Sequence, residues 1–173
     1  QELLLLSRAD LEGLGLVKIV EVKTPTALMP GAYFTGPVPR VTDYERIPPT
    51  FLAKRGEQYV QEEFPGEQAV VMYAKGKGLV VLSACAHRGI VNTLKHAQQM
   101  TGIEKVHAVI GGFHLTGAKP EIIAKTIADV KAMRPEYIVP THCSGFETIA
   151  AFAREMPDQF ILNTAGTRYF FEA

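Results

Sequence analysis

The chain has 173 residues, of which 47% are hydrophobic and 21% charged, a globular balance that excludes disordered, collagen-like and coiled-coil chains. Lys plus Arg and Asp plus Glu each total 18, so the formal net charge is zero. That removes the electrostatic drive toward nucleic acid or an anionic membrane surface, and neither is expected as a partner.

In chain order, the apolar run Leu3–Leu6 is far short of the ~18–20 residues that span a bilayer. It also lacks the basic flank of a signal peptide. Residues 16–22 (LVKIVEV) alternate like a strand. Six prolines and two glycines between Thr24 and Thr50 mark an extended, turn-rich excursion, of the length that compact domains use as lids or packing arms. From Gln68 the pattern sharpens. Residues 69–73 and 79–82 are two apolar runs joined by AKGKG, the signature of a β-hairpin. A helix follows with Ile90, Val91, Leu94, Ala97 and Met100 on one face and Gly102 as its stop. This register leaves His96 in solvent. Lys105 to Ile110 reads as a strand, Pro120 to Arg134 as a helix and Glu136 to Val139 as a strand. Phe146 to Glu155 reads as a helix halted by Pro157, and Thr167 to Phe171 as a closing strand. The order β-β-α-β-α-β-α-β predicts an α/β fold in one domain, with helices covering a sheet.

Three of the five histidines share one structural position. His87, His114 and His142 each come just past the carboxyl end of a predicted strand and before a helix, the edge where α/β sheets collect ligands and catalytic groups. If the strands are neighbours the imidazoles converge, and three protein ligands with one open position is the usual catalytic zinc pattern. A lone histidine in such a place is more often structural; three in successive units shift the balance toward metal. His107, inside a strand, reads as structural. Cys85 and Cys143 are too few for a disulfide scaffold and read as small thiols of a reducing cytoplasm. Both, however, adjoin ligand candidates, Cys85 two residues before His87 and Cys143 directly after His142. Ser83, Thr141 and Ser144 lack a nucleophile motif and read as loop hydrogen-bonding groups.

The segment from Gly76 to Thr93 (GKGLVVLSACAHRGIVNT) resembles the third metal motif of a subfamily of metallo-β-lactamase-fold proteins. Its members are known as dihydropterin-ribofuranosylaminobenzene phosphate synthases or as metal-dependent hydrolases. VIGGFHL (109–115), PTHCSG (140–145) and TGPVPRVT (35–42) with Glu45 carry the resemblance further. The His-x-His-x-Asp-His hallmark of that fold is not in this sequence, which contains no His-x-His pair. The resemblance therefore implies the C-terminal half of an αββα sandwich, a single partial domain over 1–173.

It also implies one or two divalent metal ions, zinc first, with manganese or iron as alternatives. His87 and His142 would be ligands, and His114 either a ligand or a wall of the pocket. Arg40 would hold an anionic group of a small-molecule substrate, the alternative being an ion pair with Asp43 or Glu45. For Arg88 a structural role is favoured. The function implied is metal-dependent hydrolysis, with a metal-activated water attacking an ester or phosphoester bond. Two alternatives stand beside it: a pterin-linked synthase or transferase on the same scaffold, and a metal-free fragment acting only in association. The expected partner is the missing N-terminal half or another copy of the chain, the expected location is the cytoplasm, and the fragment alone is expected to be inactive.

Overall fold

The computed structural model describes residues 7–171, so the run Leu3–Leu6 lies outside the described residues. A mixed sheet dominates, with strands β1 (Thr26–Met29), β2 (Ala32–Phe34), β5 (Ala69–Ala74), β6 (Gly78–Ser83), β7 (Val106–Gly112) and β8 (Tyr137–Thr141) in the order β1-β2-β5-β6-β7-β8. Pairing is antiparallel from β1 to β6 and parallel across β6–β7 and β7–β8. Two further strands, β3 (Leu52–Arg55) and β4 (Gln58–Gln61), form a separate hairpin just after the proline-rich excursion. The helices are α1 (Arg8–Gly13), α2 (Ile90–Thr101), α3 (Pro120–Ala132) and α4 (Phe146–Glu155).

The two parallel connections run through α2 and α3, as parallel strands require a crossover rather than a tight turn. The core joins one face of the sheet (Val71, Leu79, Val81, Val109 and Ile138) to Leu94, Ile127, Phe152 and their helix neighbours. Val70, Met72, Leu82 and Ile110 have the opposite parity, are half-buried, and take no part in that core. The sheet is therefore apolar on both faces but carries helices on one.

The predicted hairpin forms as β5 and β6, and its turn uses positive φ at Gly76 (74°) and Gly78 (124°). The start of α2 needs a device the local sequence does not supply. Gly89, at φ 101°, donates no side-chain cap. Instead, the buried Glu45 carboxylate arrives from 44 residues upstream and accepts the backbone N–H groups of Val91 and Asn92, each at 2.9 Å. A Cβ at residue 89 would collide with this carboxylate. Burial pushes the Glu45 carboxyl above its ordinary range, against the lowering effect of the two amide bonds. An anion at a helix N-terminus is favoured by the orphan N–H groups and the helix dipole.

Three sequence expectations are corrected. Residues 16–22 form no strand: among the described residues no strand pairs with them, and Leu16 is 87% and Val20 65% exposed. Alternation makes a strand only where a ladder and a covering layer exist. Thr167–Phe171 forms no closing strand either, because residues 159–161 already occupy the free edge of β8. Ile138 N–H donates to Gln159 O at 2.8 Å, and Ile161 N–H to Ile138 O at 3.0 Å. Leu94 is buried as the helical register requires, yet His96 is half-buried rather than in solvent, its Nε2 3.1 Å from Thr35 O. The excursion packs along that flank of α2, where Asn92 Oδ1 also accepts Val41 and Thr42 N–H, each at 2.8 Å.

Replacing Glu45 by Ala leaves two buried N–H groups without an acceptor. Urea unfolding of Glu45→Ala should show a loss of ~1–3 kcal/mol, the usual cost of an unsatisfied buried polar group.

Candidate metal centre

The carboxyl ends of β6, β7 and β8 lie side by side, and the loops leaving them bring the singled-out residues together. Gly111 and Gly112 make this possible. A Cβ at 111 would meet Ser83 O, and one at 112 would meet Ala84 O and Cys143 Sγ at 2.7 Å. Glycine alone lets three backbones approach this closely. Of five non-glycine residues with positive φ among the described residues, three are in these loops: Ala86 (54°), His114 (51°) and His142 (48°). Such conformations persist only where the surroundings enforce them, and they collect at functional sites.

His87 and His114 form an imidazole pair, with ring centroids 4.3 Å apart. Glu67 orients His87: its Oε1 lies 2.7 Å from Nδ1 and accepts the His87 N–H at 2.7 Å, while Oε2 accepts the Arg88 N–H at 2.5 Å. With Nδ1 engaged by a carboxylate, Nε2 is the nitrogen left for a ligand, the arrangement typical of metal-binding histidines. Phe64 stacks on the other side of the His87 ring at 4.0 Å and 2°. Phe51 sits edge-on to His114 at 5.3 Å. The two phenylalanines flank the β3–β4 hairpin, whose base is closed by Glu62 N–H donating to Phe51 O at 2.9 Å. A cavity of ≈ 440 Å³ opens beside the pair, lined by Tyr44, Ile47, Ala86, His87, Phe113 and His114 among others. Larger cavities of ≈ 520 and ≈ 680 Å³ are lined by no histidine or cysteine.

His142 is exposed and groups with the two thiols. The ligand atoms of Cys85, His142 and Cys143 all lie within 4.8 Å of one another. The turn holding them, His142–Ser144, is pinned from below. Buried Ser144 accepts Phe113 N–H at 3.1 Å and donates to Thr141 O at 2.7 Å. Cys143 O accepts Leu115 N–H, Thr116 N–H and the Thr116 hydroxyl at 2.9–3.2 Å. Burial pushes the Cys143 thiol up to about 11. His142 also bears on His114: burial first, then the charges of His87 and His142, pull the His114 imidazole below its ordinary value, while Glu67 opposes them. Two sets of donors, the His87–His114 pair and the Cys85–His142–Cys143 cluster, thus lie on the loops leaving neighbouring strands, and both are of the nitrogen and sulfur types that suit zinc or a similar ion.

Arg40 is not among the residues that line this cavity. It pairs with Glu63, from whose carboxylate its Nη2 is 3.3 Å and from whose carbonyl 3.2 Å, and its buried Nε has no partner. The alternative partner is therefore Glu63 rather than Asp43 or Glu45. Arg88 donates to Val38 O at 2.5 Å and to Glu63 O at 2.9 Å. Both guanidinium groups hold the loop that carries Phe64 and Glu67. His107 is structural as expected, 3% exposed with Nδ1 2.8 Å from Glu136. Glu67, Phe51 and Phe64 carried no local signal in the sequence, since their roles depend on a loop folding back over His87.

The lowered His114 value has a consequence for the metal-free chain. A histidine whose folded pKa is depressed stabilises above its unfolded value of 6.5 and loses that contribution as pH falls through the folded value. Thermal melts below pH 6.5 should therefore show falling midpoints, with a shallower fall in His114→Gln.

No protein-family model matches the chain. It is 34% identical over 155 residues to the 7,8-dihydropterin-6-methyl-4-(β-D-ribofuranosyl)-aminobenzene-5'-phosphate synthase of Methanocaldococcus jannaschii, covering 88% of this chain and 52% of that protein. It superposes with a TM-score of 0.77 and 27% identity on Tm1679, described as a metal-dependent hydrolase of the β-lactamase superfamily, covering 90% of this chain and 59% of that one. The chain thus spans between about half and three fifths of the length of these relatives. By fold and by sequence it belongs with the metallo-β-lactamase superfamily, beside the dihydropterin-ribofuranosylaminobenzene phosphate synthase.

Proposed function

We propose that this chain carries part of the metal centre of a metal-dependent hydrolase, with His87 and His142 as ligands and His114 as a ligand or pocket wall. The observation that carries the reading is the His87–His114 imidazole pair, with His87 oriented by Glu67, beside a cavity of ≈ 440 Å³, with His142 directly after the neighbouring strand β8. When bound, a divalent metal supplies Lewis acidity and an activated water for attack on an ester or phosphoester bond. The residues themselves do the rest. Glu67 fixes the His87 tautomer and ring plane, and Phe51 and Phe64 exclude water from the imidazole faces.

Arg40 is the group proposed to hold a substrate anion, through the Nη2 donor that faces the Glu63 carboxylate. The half-exposed Glu63 carboxylate is the contact that gives way. A guanidinium matches phosphate geometry, and the M. jannaschii relative is named for a product bearing a 5'-phosphate. That name also supports a second reading, a pterin-linked synthase on the same scaffold. Two free thiols suit a reducing compartment, and the cytoplasm is the location this reading assigns. Among the described residues no helix is long and apolar enough to cross a membrane.

The sheet face bearing Val70, Met72, Leu82 and Ile110 is the proposed docking face for a second sheet, supplied by the remaining length of such an enzyme. A domain of this architecture buries both faces of its sheet.

The test is metal analysis and bis(p-nitrophenyl) phosphate hydrolysis for the chain alone and for the chain mixed with the N-terminal part of a relative. Activity and stoichiometric metal on mixing support the reading. No metal and no turnover in the mixture sink it, and a homodimer with full activity alone replaces the second sheet with another copy. In the active mixture, His87→Ala and His142→Ala should abolish metal retention, whereas His96→Ala should not. Arg40→Ala should raise KM ~10-fold or more with little change in kcat, the effect of losing one charge-assisted hydrogen bond.

A further inference from the structure

We propose that Cys85, Cys143 and His142 form a thiolate–imidazole site, so that the centre takes a thiophilic divalent cation such as zinc through sulfur as well as nitrogen. This deepens the proposed function, with which it shares His142, by adding two ligands that an all-imidazole centre would not contain. Three observations carry it. The ligand atoms already lie within 4.8 Å of one another. A tetrahedral ion with Zn–S ~2.3 Å and Zn–N ~2.0–2.1 Å needs separations of roughly 3.3–3.8 Å, within reach of side-chain rotation.

The second observation is that the backbone beneath the site is held in place. Cys143 O takes three hydrogen bonds, Ser144 bridges Phe113 and Thr141, and His142 is kept at φ 48°. Only χ angles remain to be adjusted when an ion enters, and that is the preorganisation a tight site requires. The third is the space the fold leaves for sulfur. Gly112 has no Cβ where Cys143 Sγ passes, and the thiol donates to Cys85 O at 3.3 Å, with no partner of its own beyond the cluster. His142 is exposed, so the fourth position faces solvent, as in sites that keep one place open for water or substrate.

On binding, each thiol gives its proton to solvent and a sulfur lone pair to the ion, so two protons are released per cation bound. No oxidant takes part. A disulfide between the same sulfurs would compete with the ion, so the test is run with a phosphine reductant that keeps both thiols free.

The experiment is titration of the reduced full chain, alone and mixed with the N-terminal part of a relative, with Co(II) as the probe ion. Sulfur-to-cobalt charge transfer appears in the near-ultraviolet and ligand-field bands in the visible, so thiolate ligation is read separately from binding. The expected result is a charge-transfer band that falls by about half in Cys85→Ser and in Cys143→Ser and vanishes in the double variant. X-ray absorption at the zinc edge of the wild-type chain should count two sulfur neighbours at ~2.3 Å, a measurement that needs no variant to fold. Ligand-field bands without charge transfer, or zinc with no sulfur neighbour, overturn the thiolate site and leave the imidazole reading standing. No cobalt bound in either sample overturns both.

Discussion

Three strand ends can crowd together at one edge of this sheet because two residues of β7 have no side chain. Gly111 and Gly112 lie against Ser83 O, Ala84 O and Cys143 Sγ where a Cβ would not fit. Everything chemical in the molecule depends on that approach. It sets His87 and His114 with ring centroids 4.3 Å apart and lets the His142–Ser144 turn tuck under the loop after β7. An alanine at either position would force the loops apart, since a backbone carbonyl, Ser83 O or Ala84 O, opposes the added Cβ.

Two carboxylates from the irregular part of the chain then lock the arrangement. Glu45 holds the start of α2 directly after the His87 loop, and Glu67 holds both the His87 ring and the Arg88 amide. Each makes several bonds to backbone N–H groups and so costs less to bury than a lone charge. Arg40 and Arg88 tie the Glu67 loop down through Glu63 O. The long proline-rich excursion is thereby part of the site and not a surface ornament. It supplies one of the two locks, Glu45, and the hairpin segment that follows it supplies the other, Glu67, with the aromatic walls at Phe51 and Phe64.

The likeness to longer relatives gives the other sheet face a meaning. Val70, Met72, Leu82 and Ile110 leave the sheet's second face apolar and without helices, which is the basis for proposing a second sheet there.

The sequence by itself determined the hairpin of β5 and β6, the three amphipathic helices and their stops, and the recurrence of histidine after successive strands. Each of these is written in neighbouring residues, as period, cap or turn glycine, and local sterics decides it. Alternation in residues 16–22 and the apparent closing strand at 167–171 misled, because a strand exists only through a partner that lies elsewhere in the chain. Tertiary structure alone decided that His96 is covered, that Arg40 pairs with Glu63, and that Glu67, 20 residues before His87, grips its ring. It also decided that Cys85 and Cys143, 58 residues apart in sequence, share one site with His142. Those contacts join residues far apart in the chain, and the energy that selects them comes from packing and hydrogen bonding between whole elements, which no short stretch of sequence encodes.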